Sequence, residues 1–96
     1  MWMFLFTMSI SAQTGTIKGT IHDGKTNETM IGASIMIDGT SLGTTTDLDG
    51  NFELHNIDAG TYKVVISSIG YSEIVLEHLR VEAGKETIIN TKIGRA

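Results

Sequence analysis

Cysteine and proline are both absent from this chain of 96 residues. Without cysteine there is no disulfide framework, no thiolate-ligated zinc and no thiol nucleophile. Aromatics are scarce at 6%, and Trp2, Phe4 and Phe6 all lie within the first twelve positions. Basic side chains are few as well: seven Lys and Arg stand against eleven Asp and Glu, for a net charge of −4. Lys92 and Arg95 are the nearest approach to a basic patch, whereas a nucleic-acid surface needs clustered cations. The charge is that of a solvated acidic surface. No long apolar run follows the first one, which excludes a polytopic membrane protein. The length excludes a two-domain enzyme.

What is present divides at residue 12. The segment MWMFLFTMSISA carries nine hydrophobic residues in twelve positions and passes into Ser9, Ser11 and Ala12. An apolar run followed by small residues is the pattern of a secretory signal peptide, and it is too short to span a bilayer. No Lys or Arg precedes the run, and Ile10 is large for its place before a cut after Ala12. A buried first strand is the competing reading, but nothing in the run alternates. The expected organisation is a signal-like segment over 1–12 and one domain over 13–96.

From residue 15 the pattern has period two. Ile17, Gly19 and Ile21 share one face and Thr16, Lys18 and Thr20 the other; Ala33, Ile35 and Ile37 repeat the arrangement. Phe52 and Leu54, then Tyr62, Val64 and Ile66, then Ile74 and Leu76, then Ile89 and Ile93 continue it. Such alternation is that of strands buried on one face, and thirteen threonines suit a half-buried pleated surface. Turn signals separate the runs: Asp23-Gly24, Asp38-Gly39, Asp49-Gly50, Asp58-Ala59-Gly60, Gly70 and Ala83-Gly84. No stretch carries a helical stripe. Strands are expected near 15–22, 32–38, 41–46, 51–55, 61–68, 72–79 and 86–93, as an all-β, seven-stranded β-sandwich. Its expected core is Ile17, Ile21, Ile35, Ile37, Leu42, Phe52, Leu54, Ile57, Tyr62, Val64, Ile66, Ile74, Leu76 and Ile89. Neither disulfide nor metal braces so small a core.

Few residues invite a chemical reading. Asp47 and Asp49, two apart and followed by Gly50, suggest a weak calcium site. An EF-hand loop, however, needs Gly at its sixth position and Glu at its twelfth, and counting from Asp47 those are Phe52 and Asp58. The stronger reading is a hairpin turned by Asp49-Gly50, with Asp47 as its cap and Phe52 opening the next inward face. His22, His55 and His78 lack the spacing of a zinc-binding helix; His55 and Asp58 are merely close in sequence. The small residues from Gly39 to Thr44 lack the Lys and the following helix of a phosphate loop. Tyr71, after Gly70, reads more readily as a ring folded over a sandwich end than as an exposed anchor. No catalytic, cofactor-binding or nucleic-acid-binding residue is assigned, and no small-molecule substrate is identified.

The order of motifs resembles one family. Residues 16–23, TIKGTIHD, are similar to the opening x-G-x-V-x-D of carboxypeptidase-regulatory-like domains. Residues 31–40, IGASIMIDGT, resemble their P-G-A-x-V-x-V-x-G-T, and residues 42–52, LGTTTDLDGNF, their G-T-x-T-D-x-D-G-x-F hairpin. Ala59-Gly60-Thr61-Tyr62 and Ser68-Ile69-Gly70-Tyr71 resemble the A-G-x-Y and x-x-G-Y marks that follow. Gly32, Gly39, Asp47, Asp49, Gly50, Phe52, Gly60, Tyr62, Gly70 and Tyr71 fall on these marks as structural positions. Ile31 and Asp58 stand where the family usually has proline.

The resemblance implies a transthyretin-like (prealbumin-like) sandwich without catalytic activity. It is most similar to the version found at the N-terminus of TonB-dependent outer-membrane receptors of the SusC/RagA type. That implies an exported domain on the periplasmic side of a Gram-negative outer membrane, with the receptor plug and barrel and the energy-transducing system as protein partners. No plug or barrel follows here, so the expected product is a fragment or truncated form of such a receptor. A stand-alone secreted sandwich that binds protein or glycan is the alternative.

Overall fold

A residue pattern of period two can bury one face only if the chain is extended and a second sheet covers it. The computed structural model describes residues 13–95 and realises that arrangement. The signal-like segment 1–12 lies outside the described residues. Seven strands follow in order: β1 Thr14–Asp23, β2 Ser34–Ile37, β3 Gly43–Thr45, β4 Asn51–Asp58, β5 Gly60–Ser67, β6 Ile74–Val81 and β7 Glu86–Ile93. They form a three-stranded sheet in the order β4-β1-β7 and a four-stranded sheet in the order β3-β2-β5-β6. All pairs are antiparallel except β1 with β7, which run parallel. The fold is thus the all-β, seven-stranded sandwich that the periodicity predicts.

The inward faces of both sheets supply the core. Ile17, Ile21, Ile35, Ile57, Val64, Ile66 and Ile93 are fully buried, with Phe52, Leu54 and Ile89 nearly so. Each such aliphatic side chain contributes about 1.5–3 kcal/mol through burial. Tyr62, Ile74 and Leu76 pack against the cluster while partly exposed.

Leu42 departs from expectation: it is 37% exposed. The reason lies in the β2–β3 turn. Thr40 Oγ1 donates to the Ile37 carbonyl at 2.8 Å and accepts from the Leu42 N–H at 3.0 Å. That turn ends β2 at Ile37 and carries Leu42 outside before β3 begins at Gly43. Met30 and Ala33 take core places instead. They sit in the irregular segment before β2, pinned by the buried Thr46 hydroxyl. Thr46 Oγ1 donates to the Met30 carbonyl at 2.5 Å and accepts from the Ala33 N–H at 2.9 Å.

Two bulges extend strands past the point where simple alternation fails. In β4, Leu54 lies opposite Ile17 and Ile57 opposite Gly15, so three steps of β4 match two of β1. In β6, Leu76 lies opposite Val64 and Leu79 opposite Tyr62, again three steps against two. Each extra residue is absorbed near a left-handed position, Asn56 at φ 59° and His78 at φ 59°. Without the bulge, Ile57 and Val81 would turn to water. Gly19, in the central strand β1, meets a different constraint. A Cβ there would fall on the Ile89 carbonyl of the neighbouring β7.

Two substitutions test this arrangement by thermal unfolding. Gly19→Ala must force β1 and β7 apart and lowers the midpoint by roughly 10 °C or more. Asn56→Gly, which keeps the left-handed bulge, stays within about 3 °C of the parent. Equal effects of the two would contradict the assignment.

Candidate functional site

The most heavily bonded polar group in the described chain is a carboxylate at the end of β1. Alternation along β1 places Asp23 on the inward face after Ile17 and Ile21, where it is only 4% exposed. A buried carboxylate needs donors to compensate its lost water. The turn after β1 supplies two: the Lys25 and Thr26 N–H groups donate to Asp23 Oδ1 at 2.7 and 3.1 Å. The loop between β5 and β6 supplies a third, with the Tyr71 hydroxyl donating to Asp23 Oδ2 at 2.6 Å. Arg95, just beyond β7, brings its Nε to 3.5 Å from the same oxygen and its guanidinium to 6.0 Å from the Tyr71 ring. The Ser72 N–H donates to the Gly94 carbonyl at 2.7 Å, and Tyr71 bridges to Arg95. One carboxylate therefore joins the end of β1, the end of β7 and a loop of the opposite sheet.

The electrostatics follow from this set. The Tyr71 hydroxyl first, then the Lys25 and Thr26 amides, hold the Asp23 carboxyl at about 2, below its ordinary 3.8; Arg95 adds to this and burial opposes it. The Asp23 carboxylate and then burial raise the Tyr71 phenol. Asp23 is thus ionised and Tyr71 protonated across the physiological range. A carboxylate engaged by three donors and an ion pair is a structural acceptor, poorly suited to exchanging protons with a substrate.

The outer face of the β4-β1-β7 sheet forms a second feature, a shallow groove of about 580 Å³ lined by Lys18, Thr20, Thr45, Asn51, Glu53 and Asn90. Thr20 Oγ1 donates to Asn51 Oδ1 at 2.7 Å, and Lys18 Nζ lies 2.9 Å from Glu86 Oε2. The hydrogen bond that Lys18 donates to Glu86, then the charge of Glu86, raises the Lys18 ammonium pKa. Outside the groove lining, His55 has Nε2 3.0 Å from Glu53 Oε2 and Nδ1 3.4 Å from Thr16 Oγ1. This hydroxyl–imidazole–carboxylate order could relay a proton, but the His55 and Glu53 side chains are 60% and 57% exposed on an open face. Among the described residues, nothing there excludes water or orients a reacting group.

The motif positions take turn and core roles. Asp47 caps its hairpin: Oδ1 accepts from the Asp49 and Asn51 N–H groups, each at 2.9 Å, and the Gly50 N–H donates to the Asp47 carbonyl at 3.0 Å. Asp49 is exposed in the same turn. Among the described residues, no three Asp, Glu or His side chains gather as metal ligands. Gly50, at φ 75°, packs so closely that a Cβ would meet Thr29 and the Ile21 carbonyl, and Phe52 is buried beyond it. Gly32 donates its N–H to the Thr46 carbonyl at 3.0 Å; Gly39 sits in the β2–β3 turn. Gly60 opens β5, and the Tyr62 hydroxyl donates to the Asp58 carbonyl at 2.6 Å, tying the β4–β5 corner. Gly70 precedes Tyr71, whose ring packs on the core from the sandwich end.

The sequence marks Asp23 only as a turn residue at the end of the first motif and Arg95 only as one of a weak basic pair; it does not bring the two together. The clamp they form makes a pH-dependent prediction. The stability Asp23 contributes is fully present above its unfolded pKa of 3.8 and is lost as pH falls through about 2. The melting midpoints of the parent and Asp23→Asn should therefore differ by a constant gap at neutral and mildly acidic pH, and converge between pH 4 and 2. Tyr71→Phe lowers the neutral-pH midpoint by roughly 5–10 °C. A gap unchanged down to pH 2 would contradict the clamp.

Comparison with known proteins places this geometry in context. The chain is 45% identical over 60 residues to the TonB-dependent receptor SusC of Bacteroides thetaiotaomicron, covering 62% of this chain and 6% of that protein. It is 28% identical over 83 residues to the TonB-dependent receptor P3 of Formosa agariphila, covering 86% of this chain and 8% of that one. The chain thus spans less than a tenth of either relative's length. Among solved structures, a chain of a type II Cohesin-X-Dockerin complex from Acetivibrio cellulolyticus superposes with a TM-score of 0.72 at 25% identity, over 82% of this chain and 56% of that one. Residues 17–94, from the middle of β1 to the residue before Arg95, match the CarboxypepD_reg-like domain, and the chain belongs to that family.

Proposed function

We propose that this domain is the non-catalytic N-terminal accessory domain of a TonB-dependent outer-membrane nutrient receptor, on the periplasmic side. The observation that carries the reading is the 45% identity to a receptor of that class over 60 residues. A second receptor, matched over 86% of the chain, supports it. The chemistry of the domain agrees. Its buried carboxylate is engaged by structural donors, and its relay of Thr16, His55 and Glu53 lies open to water. Such a domain acts through contact, by presenting a rigid sandwich to the receptor plug, the barrel or the energy-transducing proteins. Export through the segment 1–12 belongs to the same reading, as does the view that the chain is a portion of a longer receptor. Asp47 and Asp49 serve the hairpin in this account; a weak calcium site there would show as a thermal shift at millimolar calcium.

Fractionation of the native organism tests the proposal. An antibody raised against the domain should detect a receptor-sized protein in the outer-membrane fraction. A free species near 10.4 kDa in the soluble or secreted fraction would overturn it.

A further inference from the structure

An edge strand displays a row of unpaired N–H and C=O groups and will accept another strand unless something blunts it. The two sheets have four edges: β4 and β7 in one, β3 and β6 in the other. Strand β3 has only three residues. Strands β4 and β6 are bulged near Asn56 and His78, which breaks their flat repeat. Strand β7 carries none of these protections. It keeps one unbroken register with β1 from Thr16↔Glu86 to Asp23↔Ile93, contains no proline and has no residue at positive φ.

The direction of its free groups follows from its two ends. The Thr16 N–H donates to the Lys85 carbonyl and the Gly24 N–H to the Ile93 carbonyl, each at 3.0 Å. Peptide groups alternate sides along a strand, so the odd-numbered residues of β7 bond to β1. Glu86, Ile88, Asn90 and Lys92 turn their N–H and C=O groups to the open edge. Their side chains share the outer face, where all four are exposed and Ile88 is 53% so.

We infer that β7 pairs antiparallel with β7 of a second copy, about a twofold axis through Ile89. The sequence Glu86 to Lys92 is self-complementary in that register. Glu86 lies opposite Lys92 of the second copy, Lys92 opposite its Glu86, and Ile88 opposite Asn90. All the outward N–H and C=O groups of these residues pair, and both charges find an opposite partner. Moving the axis to Ile88 or Asn90 leaves the charges without one. Moving it between residues sets an outer-face side chain against an inner-face one, which the pleat forbids. Glu86 already holds Lys18 through Oε2, yet its side chain remains 56% exposed, so the other oxygen is free for Lys92. The result is one continuous six-stranded sheet across two sandwiches. The pairing does not rest on the receptor reading.

Sedimentation equilibrium of the full chain over a concentration series tests this. A reversible monomer–dimer equilibrium is expected. Glu86→Lys and Lys92→Glu should each weaken association roughly tenfold or more, because each sets like charges opposite one another across the axis. The double variant, Glu86→Lys with Lys92→Glu, should recover most of that loss. Ile88→Pro should abolish the dimer yet leave the β-sheet circular dichroism intact, since the Ile88 N–H is not used within the domain. A chain monomeric at every concentration would overturn the inference. So would a dimer indifferent to the single charge reversals, or one that survives Ile88→Pro; either would place association elsewhere or by another mode.

Discussion

A carboxylate buried at the rim of an apolar core constrains everything near it, because it must collect donors from whatever segments can reach it. Asp23 is that group. Its four partners come from the turn after β1, the β5–β6 loop and the residues beyond β7. With Asp23 ionised, Tyr71 is drawn over the core, Gly94 is bonded to Ser72, and the rim closes. In a sandwich with no cysteine, one buried charge gathers the segments that close this end.

The far end is closed by different means. Tyr62 reaches back four residues to the Asp58 carbonyl where the chain crosses from β4 to β5. The Ala59 N–H donates to the Gln13 carbonyl at 3.0 Å, and the Gly84 N–H to the Thr14 carbonyl at 2.9 Å. Each tyrosine of the domain thus serves one end, its ring against apolar surface and its hydroxyl on an acceptor. The two bulges serve the same closure. By adding a residue to β4 and to β6, they bring Ile57 and Val81 inward where the sheets approach their ends.

Most of this was readable in advance, and the exceptions have physical causes. Alternation located six of the seven strands, because a sheet with one wet face leaves period two in the sequence; the three-residue β3 is too short to show it. The Asp-Gly turns located the breaks. Alternation cannot register a bulge, however, since an inserted residue looks like a change of face; that is why Leu79 and Val81 were missed and β4 was ended early at residue 55. Leu42 was misplaced because hydrophobicity alone does not reveal a threonine-bonded turn. Met30 carries no periodic signal, and Ala33, though in register with Ile35 and Ile37, was left out of the expected core; the hydroxyl that pins them, Thr46, lies thirteen residues beyond Ala33. The Asp23 cluster was the least legible of all. Its members are spread from residue 23 to residue 95, and only the fold gathers them. His55 was considered beside Asp58 from sequence proximity, whereas the pleat sets it beside Glu53 on the same face.

Asp23 with Tyr71 at one end and Tyr62 with Asp58 at the other close the sandwich of this CarboxypepD_reg-like domain. The charge state of Asp23 decides whether the β1–β7 end is held closed in this way. Carbon-detected NMR of the side-chain carboxyl, followed through an acid titration of the folded chain, reads it directly. The account predicts that Asp23 titrates at about 2. A midpoint near the ordinary 3.8 would mean that the carboxylate is not held by Tyr71 and the two amides, and that the end of the sandwich closes by some other means.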